Sequence, residues 1–495
     1  MPDKHRKRVV IVGGGVTGLA AAHYLKPHAA DLDITLIESD DRLGGKICTV
    51  RQDGFVVEGG PDCFLSYKPR GLGLCCELGL EDRLHGTSGK IRRTYVMRHG
   101  KLYPLPEGLT GLIPSRFGPM AKTPLISPLG KLRMGLDYFI PPRTGHEDES
   151  LASFVSRRLG REVYERMIEP LMTGIYAGDG DQLSLDATFP NLRKAEVEHG
   201  GLVKSMLAAR AKPARKEQVP ASKAAPTKAP KKKWSAFLTP ETGLAEIVEA
   251  IAAQLQGVDV RLRTRVESVE SVENVESATA LPGGSRYRVI IPGEEPLTAD
   301  AIILATPAFV SAGIVQALDA EVAGVLRSIP YACTATVSVA YPLAQVPRPL
   351  DAHGYIIPRG EGRPVLACTW TSTKFPHRAP EGYALVRAFI GHAGQEGVLQ
   401  RTDDELVQRV RDELREVLGI TAPPLLHYVF RWPQAMPQYT LGHLDRVVMA
   451  ERRLGAYPGL FLAGAAYRGI GIPDCIQSGE QAAARALACL QAHPA

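Results

Sequence analysis

The sequence has no CxxC pair and no HExxH motif, although eight of its 495 residues are cysteines. The cysteines are scattered, without the spacing of a metal-ligand set: Cys48, Cys63, Cys75, Cys76, Cys333, Cys368, Cys475 and Cys489. A bound metal ion therefore has no support in the sequence. Scattered thiols are typical of reducing compartments, so the sequence predicts a cytoplasmic protein, not a disulfide-stabilised secreted one.

Long apolar runs are also missing. Residues 301–318 form the one stretch without charge that is long enough to suggest a membrane span, but Pro307 and Gly313 interrupt it. The basic start of the chain superficially resembles a signal peptide, but the apolar run at residues 9–12 is far too short. The sequence predicts no transmembrane segment and leaves open a peripheral contact with the inner face of the membrane.

The net charge of +6 comes from one segment. Residues 211–233 contain eight of the 59 Lys and Arg residues but one of the 53 acidic residues, so the rest of the chain is nearly neutral. Rich in Pro and Ala, this segment is predicted to be a flexible, solvated linker. The alternative is a patch for acidic membrane surfaces or nucleic acid. No aromatic residues are interleaved for base stacking, so no nucleic-acid partner is expected.

A nucleotide-binding pattern opens the chain. Residues 9–12 form an apolar run typical of a parallel strand that is buried on both faces. The glycine pattern Gly13-x-Gly15-x-x-Gly18 follows at once, and an apolar helix is predicted over residues 16–25. Such glycines allow a tight turn, close approach to a pyrophosphate, and close helix–strand packing. The residues predicted to face the phosphates are Gly13, Gly14, Gly15, Val16, Thr17 and Gly18.

The second strand of this pattern ends in a carboxylate. Residues 34–37 are predicted to be that strand, and Glu38 follows them, twenty residues after Gly18. A carboxylate at this position can accept hydrogen bonds from a ribose, with Ser39 beside it, and would repel a 2′-phosphate. The full set of strand, turn, helix, strand and acidic residue therefore predicts dinucleotide binding.

Two further glycine turns favour FAD over NAD. Gly44 and Gly45 lie in residues 41–46, and a second glycine turn occupies residues 58–62. A paired glycine after the acidic strand end is similar to the FAD-binding signature of amine oxidase-like flavoenzymes. The alternative is two ordinary surface turns.

The end of the chain repeats the arrangement of strand, glycine turn and helix. A buried strand is predicted at residues 460–463, followed by Gly464, the turn at residues 469–475 and a helix to residue 490. Amides at such a turn can stabilise negative charge near N1 and C2=O of a reduced flavin. The alternative is an ordinary connection.

Other elements are predicted from periodicity and capping. Ser150 is expected to cap one helix that continues to Pro170, and Thr402 with Glu405 forms a capping box. Residues 258–269 alternate as a single strand, and residues 105–142 are a poor candidate for sheet. Further predicted strands, at residues 334–341, 355–358, 365–371 and 383–390, would form a sheet that covers the flavin.

Longer motifs resemble one enzyme family over nearly the whole chain. Residues 169–179, 436–439 and 471–476 match the FAD-dependent porphyrinogen oxidases of haem synthesis, within the amine oxidase-like flavoproteins. Residues 368–371 and 375–377 are similar to the soluble bacterial type.

The resemblance implies an α/β protein. It would have a Rossmann-type, p-hydroxybenzoate-hydroxylase-like FAD-binding domain, an interleaved α+β substrate domain and a helical insertion. The implied segments are 1–80, 234–309 and 431–495 for the FAD domain, 81–100 and 310–430 for the substrate domain, 101–210 for the helical domain, and 211–233 for the linker.

The implied reaction is a six-electron oxidation of a porphyrinogen to a porphyrin, with molecular oxygen reduced to hydrogen peroxide. Coproporphyrinogen III is favoured as the substrate, and protoporphyrinogen IX is the alternative. More distant alternatives are amine oxidation, carotenoid desaturation and a non-catalytic FAD protein. Other haem-pathway enzymes would be transient partners. The sequence contains no obvious catalytic dyad or triad, so no catalytic residue is assigned.

The resemblance also implies positions around FAD. Val266 would meet the adenine end, Trp432 the isoalloxazine, and residues 469–472 the flavin pyrimidine. Arg92 and, more weakly, Lys68 would pair with substrate propionates, although a lone arginine is more often a surface residue. The remaining predicted cofactor contacts, beyond the first turn and Glu38, are Gly44, Gly45, Lys46, Gly60, Pro61, Asp62, Cys63, Gly464, Gly469, Gly471 and Ile472.

Overall fold

The structure is a computed structural model that describes residues 6–492 except 90, 92, 108, 111–112, 115–116, 146, 212–233 and 272–285. The predicted basic linker thus lies outside the described residues, apart from Ala211. The strands are β1 Lys7–Val12, β2 Leu32–Ile37, β3 Thr49–Gln52, β4 Phe55–Glu58, β5 Phe64–Leu65, β6 Leu84–Gly86, β7 Tyr95–Arg98, β8 Lys101–Pro104, β9 Leu109–Thr110, β10 Ile113–Pro114, β11 Phe237–Pro240, β12 Val258–Arg261, β13 Ser268–Ser271, β14 Tyr287–Ile290, β15 Leu297–Ala299, β16 Ala301–Leu304, β17 Tyr331–Pro342, β18 Gly354–Ile356, β19 Val365–Trp370, β20 Tyr383–Ile390, β21 Leu426–Pro437 and β22 Leu460–Leu462. The helices are α1 Val16–Leu25, α2 Pro69–Glu77, α3 Phe117–Lys122, α4 Pro128–Gly135, α5 Leu151–Leu159, α6 Arg161–Val163, α7 Glu169–Tyr176, α8 Leu185–Thr188, α9 Pro190–His199, α10 Leu202–Ala211, α11 Ala245–Ala253, α12 Ala308–Ile314, α13 Ala320–Arg327, α14 Thr371–Lys374, α15 Asp403–Leu418, α16 His443–Leu454 and α17 Ile472–Ala492.

A five-stranded parallel sheet carries the first glycine turn. Its order is β12-β2-β1-β16-β22, so strands from distant parts of the chain lie side by side. Residues 9–12 are buried because β1 is central and both faces are covered. Leu19 and Leu25 of α1 pack on one face with Ile476 of α17, and α12, α13 and α16 cover the other. The predicted Rossmann-type α/β architecture is confirmed.

A seven-stranded sheet stands beside it. Its order is β21-β17-β20-β19-β18-β7-β8, and its pairs are antiparallel except β18 with β7. Leu406, Val410 and Leu414 of α15 pack against it. The strands predicted at residues 334–341, 355–358, 365–371 and 383–390 are confirmed as members of one sheet, with small shifts of their ends. The predicted boundary between the substrate domain and the last FAD-domain segment, at residues 430 and 431, falls inside strand β21. The division into domains stays a prediction.

The helical region differs from prediction at two places. The helix that Ser150 caps was expected to continue to Pro170, but α5 ends at Gly160, whose φ is +95°. A π-helical segment covers Tyr164–Ile168, and Pro170 lies in the first turn of α7, where its missing N–H costs no hydrogen bond. The prediction of a single helix is wrong because apolar periodicity continues across the break. Within residues 105–142, β9 and β10 form a small two-stranded sheet that was not predicted.

The single strand predicted for residues 258–269 is also wrong. The chain turns at Arg263, whose φ is +53°, and forms two strands in different sheets. β12 joins the parallel sheet, whereas β13 pairs with β14. In the described parts of the chain, no helix is both long and apolar enough to cross a membrane.

Candidate functional site

In the first glycine turn, an added side chain would clash at Gly13 and Gly18 but would have open space at Gly15. A Cβ at Gly18 would collide with the Gly13 carbonyl oxygen, and one at Gly13 would lie 2.9 Å from the Ala305 oxygen. These glycines are therefore required for packing β1 against α1 and β16. Gly15 differs: its φ is −69°, and nothing lies within 4 Å of an added Cβ. The open space lies at the start of α1, which no side chain caps. First-turn amides in such a position are suited to binding phosphate.

The carboxylate of Glu38 is held beside this turn. Glu38 Oε2 accepts a hydrogen bond from Gly14 N at 2.6 Å, and Oε1 accepts from Asp40 N at 2.9 Å and Ser39 Oγ at 3.1 Å. The N–H of Thr264 donates to the Glu38 carbonyl at 2.9 Å. Val266, two residues later, is buried in the adjoining apolar cluster. The structure therefore brings Glu38, Ser39 and Val266 together at the end of β2.

The paired glycines pack directly on the first turn. Gly44 N donates to Gly14 O at 2.8 Å, and a Cβ at Gly45 would lie 3.3 Å from Gly15 Cα. The guanidinium of Arg42 fixes this loop by donating to the carbonyl oxygens of Gly45 at 2.6 Å and Ile47 at 3.0 Å.

Lys46 follows the paired glycines, and its amino group has no acidic partner among the described residues. Its ammonium makes no hydrogen bond or ion pair with another described residue. Burial lowers the pKa of Lys46, because the charged form loses hydration that the nearby Cys475 thiol only partly offsets. A half-buried ammonium without a carboxylate partner among the described residues is suited to an anionic group of a ligand.

The turn at residues 58–62 packs against the loop that carries Gly44, Gly45 and Lys46. Gly60 packs so closely on the Lys46 carbonyl oxygen that a Cβ would collide with it. Trp432 Nε1 donates to Gly59 O at 2.8 Å, which places the indole beside Gly60. Pro61 then leads to Asp62.

Asp62 belongs to an ion-paired group beside this turn. Lys374 Nζ lies 2.8 Å from Asp62 Oδ2, and the Cys63 thiol donates to Asp62 Oδ1 at 3.0 Å. Burial alone would raise the pKa of Asp62, but the charges of Lys374 and Arg387 hold it well below its usual range. Burial and the neighbouring carboxylate raise the pKa of the Cys63 thiol. Asp62 is therefore ionised and Cys63 protonated near neutral pH.

Lys374 and Arg387 were not predicted. Arg387 donates from Nη2 to Gly60 O, and its Nε and Nη1 atoms are buried without a hydrogen-bond partner among the described residues. Behind it, Arg378 Nη1 lies 2.9 Å from Glu58 Oε1. The partners of Lys374, Arg387 and Arg378 named above lie more than 300 residues away in the chain. A charged residue inside the apolar strand β20 was a detectable signal for Arg387, and Lys374 lies between the two segments that are similar to the bacterial enzymes.

The C-terminal glycine turn joins the same surface. A Cβ at Gly464 would lie 3.7 Å from Thr17 Oγ1, so this turn adjoins the start of α1. Gly469, with φ +138°, donates from its N–H to the Tyr439 hydroxyl at 2.7 Å. Gly471 N donates to Asp474 Oδ2 at 3.2 Å, and Ile472 begins α17.

Of the two side chains predicted to bind substrate propionates, the structure describes Lys68 but not Arg92. Lys68 Nζ lies 2.5 Å from Asp474 Oδ2, so Lys68 is ion-paired beside the Gly471 turn. Arg92 lies outside the described residues. No cluster of His, Cys, Asp and Glu able to hold a metal ion occurs in the described part of the chain.

The geometry fits FAD. The open space at Gly15, the uncapped start of α1 and the unpaired ammonium of Lys46 suit a pyrophosphate. From there a continuous line of neighbours passes Gly45 and Gly60 to Trp432, as a surface that binds an extended dinucleotide would. Each residue's contact with FAD stays a prediction, since its support is proximity.

Comparisons with known proteins agree with this geometry. The family described as flavin-containing amine oxidoreductase matches residues 16–487. The chain is 37% identical to a coproporphyrinogen III oxidase of Bacillus subtilis over 98% of the chain and 99% of that protein. It is 32% identical to a chloroplastic protoporphyrinogen oxidase of Nicotiana tabacum, covering 96% of the chain and 84% of the relative. A crystal structure of a candidate protoporphyrinogen oxidase from Exiguobacterium sp. 255-15 superposes with a TM-score of 0.83 at 31% identity, covering 99% and 100%.

Proposed function

Because this chain belongs to the family of flavin-containing amine oxidoreductases, we propose that it oxidises coproporphyrinogen III to coproporphyrin III with FAD as cofactor. The porphyrinogen loses six electrons and six protons. Three molecules of oxygen take them up in three two-electron steps and become three molecules of hydrogen peroxide. The enzyme is an FAD-dependent oxidoreductase of haem synthesis.

One observation carries the choice of substrate. The coproporphyrinogen III oxidase of Bacillus subtilis matches at 37% identity with almost complete coverage of both chains. The chloroplastic protoporphyrinogen oxidase of Nicotiana tabacum matches at 32% and extends beyond the match. The second relative supports protoporphyrinogen IX as the second candidate substrate.

The glycine turns and Lys46 would bind the cofactor. The amides around Gly15 and the start of α1 would face the pyrophosphate, and the Lys46 ammonium would offset its charge. Glu38 would exchange its bond from Gly14 N for bonds from the adenosine ribose. Bound FAD supplies the acceptor for hydride equivalents and the route of electrons to oxygen.

The ion pair of Asp62 and Lys374 would orient groups at the flavin end. A carboxylate with so low a pKa is a weak proton acceptor, so the pair holds charge in place and does not shuttle protons. Cys63 stays a neutral thiol. Carboxylates of the substrate need cationic partners, and we propose Arg92 and Lys68 for that role. Lys68 would have to exchange Asp474 for a propionate.

We also propose that the enzyme works in the cytoplasm. None of the eight cysteines, all of which lie in the described residues, forms a disulfide bond, which suits a reducing compartment. Transient contact with the other enzymes of haem synthesis belongs to the same proposal, because a porphyrinogen oxidises spontaneously in air.

Turnover with the two porphyrinogens tests the function. Purified FAD-loaded protein should convert coproporphyrinogen III to a fluorescent porphyrin, with about three peroxides per porphyrin, and with a higher kcat/KM than for protoporphyrinogen IX. The reverse preference would identify the second candidate substrate. Absence of turnover with both would overturn the proposal.

A further inference from the structure

An arginine is buried inside the seven-stranded sheet. Arg387 is the one charged residue of β20, and it lies opposite Ser338 of β17 and Thr369 of β19. Only 3% of Arg387 is exposed. Burying a charged side chain costs free energy unless a counter-charge is buried with it. The presence of an arginine at this position therefore needs a reason other than packing.

The guanidinium of Arg387 forms no ion pair with a carboxylate among the described residues. Its Nη2 atom donates to the Gly60 carbonyl oxygen, whereas Nε and Nη1 are buried without a hydrogen-bond partner in the described part of the chain. The guanidinium carbon lies 4.6 Å from the centre of the Phe389 ring. A contact between a cation and an aromatic ring is weaker than a buried ion pair, so it compensates the charge only in part.

The neighbouring charges are already paired with one another. Lys374 Nζ lies 2.8 Å from Asp62 Oδ2, and Arg378 Nη1 lies 2.9 Å from Glu58 Oε1. Burial lowers the pKa of Arg387, because the charges of Asp62 and Glu58 only partly offset the lost hydration. A guanidinium nevertheless stays protonated in proteins. These three cations and two carboxylates therefore leave one positive charge in excess, and it lies on Arg387.

This excess charge lies beside the predicted flavin end of the site. Leu385 and Arg387 lie on the face of β20 that is turned away from α15 and toward the hairpin of β3 and β4. Gly60, whose carbonyl oxygen Arg387 binds, is in turn a neighbour of Trp432, because a Cβ at Gly60 would lie 3.8 Å from the indole. Gly60 and Trp432 are both predicted contacts of FAD.

A flavin is the anion that this charge suits. Uptake of two electrons with one proton leaves the reduced ring with one negative charge, and a fixed cation nearby favours that form. A substrate propionate suits it less, because the guanidinium is too deeply buried to meet one. The field of the charge needs no contact, since it acts across the turn at residue 60 in a medium of low dielectric constant.

From these observations we infer that Arg387 raises the reduction potential of bound FAD through the field of its unpaired charge. Arg387 acts as a positioning residue, because it stabilises charge on the cofactor without meeting the substrate. The inference rests on the FAD site of the proposed function but not on its substrate.

The reduction potential of bound FAD in charge-removing variants tests the inference. Arg387→Gln keeps a donor for the Gly60 carbonyl oxygen, and Arg387→Met keeps the side-chain length without a donor. In both, the equilibrium constant for reduction should fall about tenfold, or about 30 mV for a two-electron couple, the effect of a unit charge about 10 Å away. Arg387→Lys should restore most of the loss. Anaerobic titration of the FAD-loaded protein with dithionite and an indicator dye measures the potential.

Arg431→Gln is the matched control. Arg431 directly precedes Trp432 on β21, but its guanidinium is paired with Asp403 and partly exposed. Removing this neutralised charge should change the equilibrium constant less than about twofold. Flavin content and thermal unfolding show that each variant is folded.

Three results would overturn the inference. The first is a potential that both neutral variants share with the natural chain. The second is an equal fall in Arg387→Lys, which would show that the shape of the guanidinium matters and its charge does not. The third is an unchanged potential with weaker binding of coproporphyrin III, measured by fluorescence quenching, which would assign the charge to a substrate carboxylate. The dithionite titration contains no porphyrinogen, so failure of the proposed reaction is distinguishable from failure of this inference.

Discussion

Two glycines of the first turn have different roles: Gly15 leaves open space for a ligand, whereas Gly18 allows close packing against Gly13. A Gly15→Val side chain would enter open space from an allowed backbone conformation, so the apoprotein should unfold at nearly the same temperature. The same side chain would occupy the predicted pyrophosphate position, and we expect FAD affinity to fall by roughly five- to 150-fold, which corresponds to overpacking of about 1–3 kcal/mol. Titration with FAD monitored by flavin fluorescence measures this.

Gly18→Ala is the contrasting variant. Its added Cβ would meet the Gly13 carbonyl oxygen, so the apoprotein itself should lose stability. The assignment of the open side of the turn to FAD would be wrong if Gly15→Val bound FAD as tightly as the natural chain.

His443 should make unfolding sensitive to acid. It is buried, stacks on Tyr439 with ring centroids 4.0 Å apart, and bonds through Nε2 to the Tyr467 carbonyl at 3.0 Å. Burial lowers the pKa of His443 from 6.5 to about 4. As pH falls below 6.5, His443 binds a proton in the unfolded chain, whereas in the folded chain it binds one only at about pH 4. The free energy of unfolding should therefore fall by about 3 kcal/mol over that window.

His443→Gln provides the test, because the amide can still donate to Tyr467 but does not titrate. Urea unfolding at several pH values should show a shallower decline between pH 6.5 and 4 for this variant. Parallel curves for the variant and the natural chain would contradict the assignment. The residue adjoins the site, because the Tyr439 hydroxyl accepts the hydrogen bond from Gly469 N.

At the scale of elements, α15 illustrates a helix that its local sequence defines. Thr402 Oγ1 accepts from Glu405 N at 3.2 Å, and the Glu405 carboxylate accepts from Thr402 N at 2.8 Å. Thr402→Ala should lower the free energy of unfolding by about 1 kcal/mol, whereas Thr402→Ser should keep most of it. Chemical denaturation of the two variants measures the difference. Equal losses would show that the hydroxyl does not act as the cap.

Elements with local signals were predictable, and those decided by distant contacts were not. The capping box of α15 and the hairpin of β7 and β8 follow from neighbouring residues, including His99 and Gly100 at positive φ. The break at Gly160 was not predictable in this way, because the apolar stripe that packs into the helical core continues beyond it. Residues 258–269 form two strands because β12 and β13 pair with different sheets. Alternation of polar and apolar residues predicts a strand but does not show which sheet it joins.

The same distinction holds for the site. Glycine spacing and Glu38 predicted the nucleotide turn, since that motif is contiguous in sequence. Lys374 and Arg387 reach the turn at residues 60–62 from elements more than 300 residues later, so even the charge inside the apolar strand β20 does not indicate which residues Arg387 contacts. Their role emerges only when the seven-stranded sheet is placed against the parallel sheet.

For the whole molecule, the order of the chain explains where the site lies. The parallel sheet collects strands from residues 7–37, 258–304 and 460–462, and the carboxyl ends of β1 and β22 lead to glycine turns beside one another. Ligands bind at the carboxyl ends of parallel strands, so this edge is the expected place for a cofactor. The seven-stranded sheet contributes Trp432 and Arg387, and the adjoining helix α14 contributes Lys374, to the far end of the same line, where the substrate would meet the flavin.

An anaerobic titration of the FAD-loaded protein with coproporphyrinogen III tests the central claim most directly. Without oxygen, each porphyrinogen should discharge the visible absorbance of three bound flavins and form one fluorescent porphyrin, and admitting air should restore the absorbance with release of peroxide. Flavin absorbance that persists in the presence of excess coproporphyrinogen III would contradict the claim that this fold oxidises it.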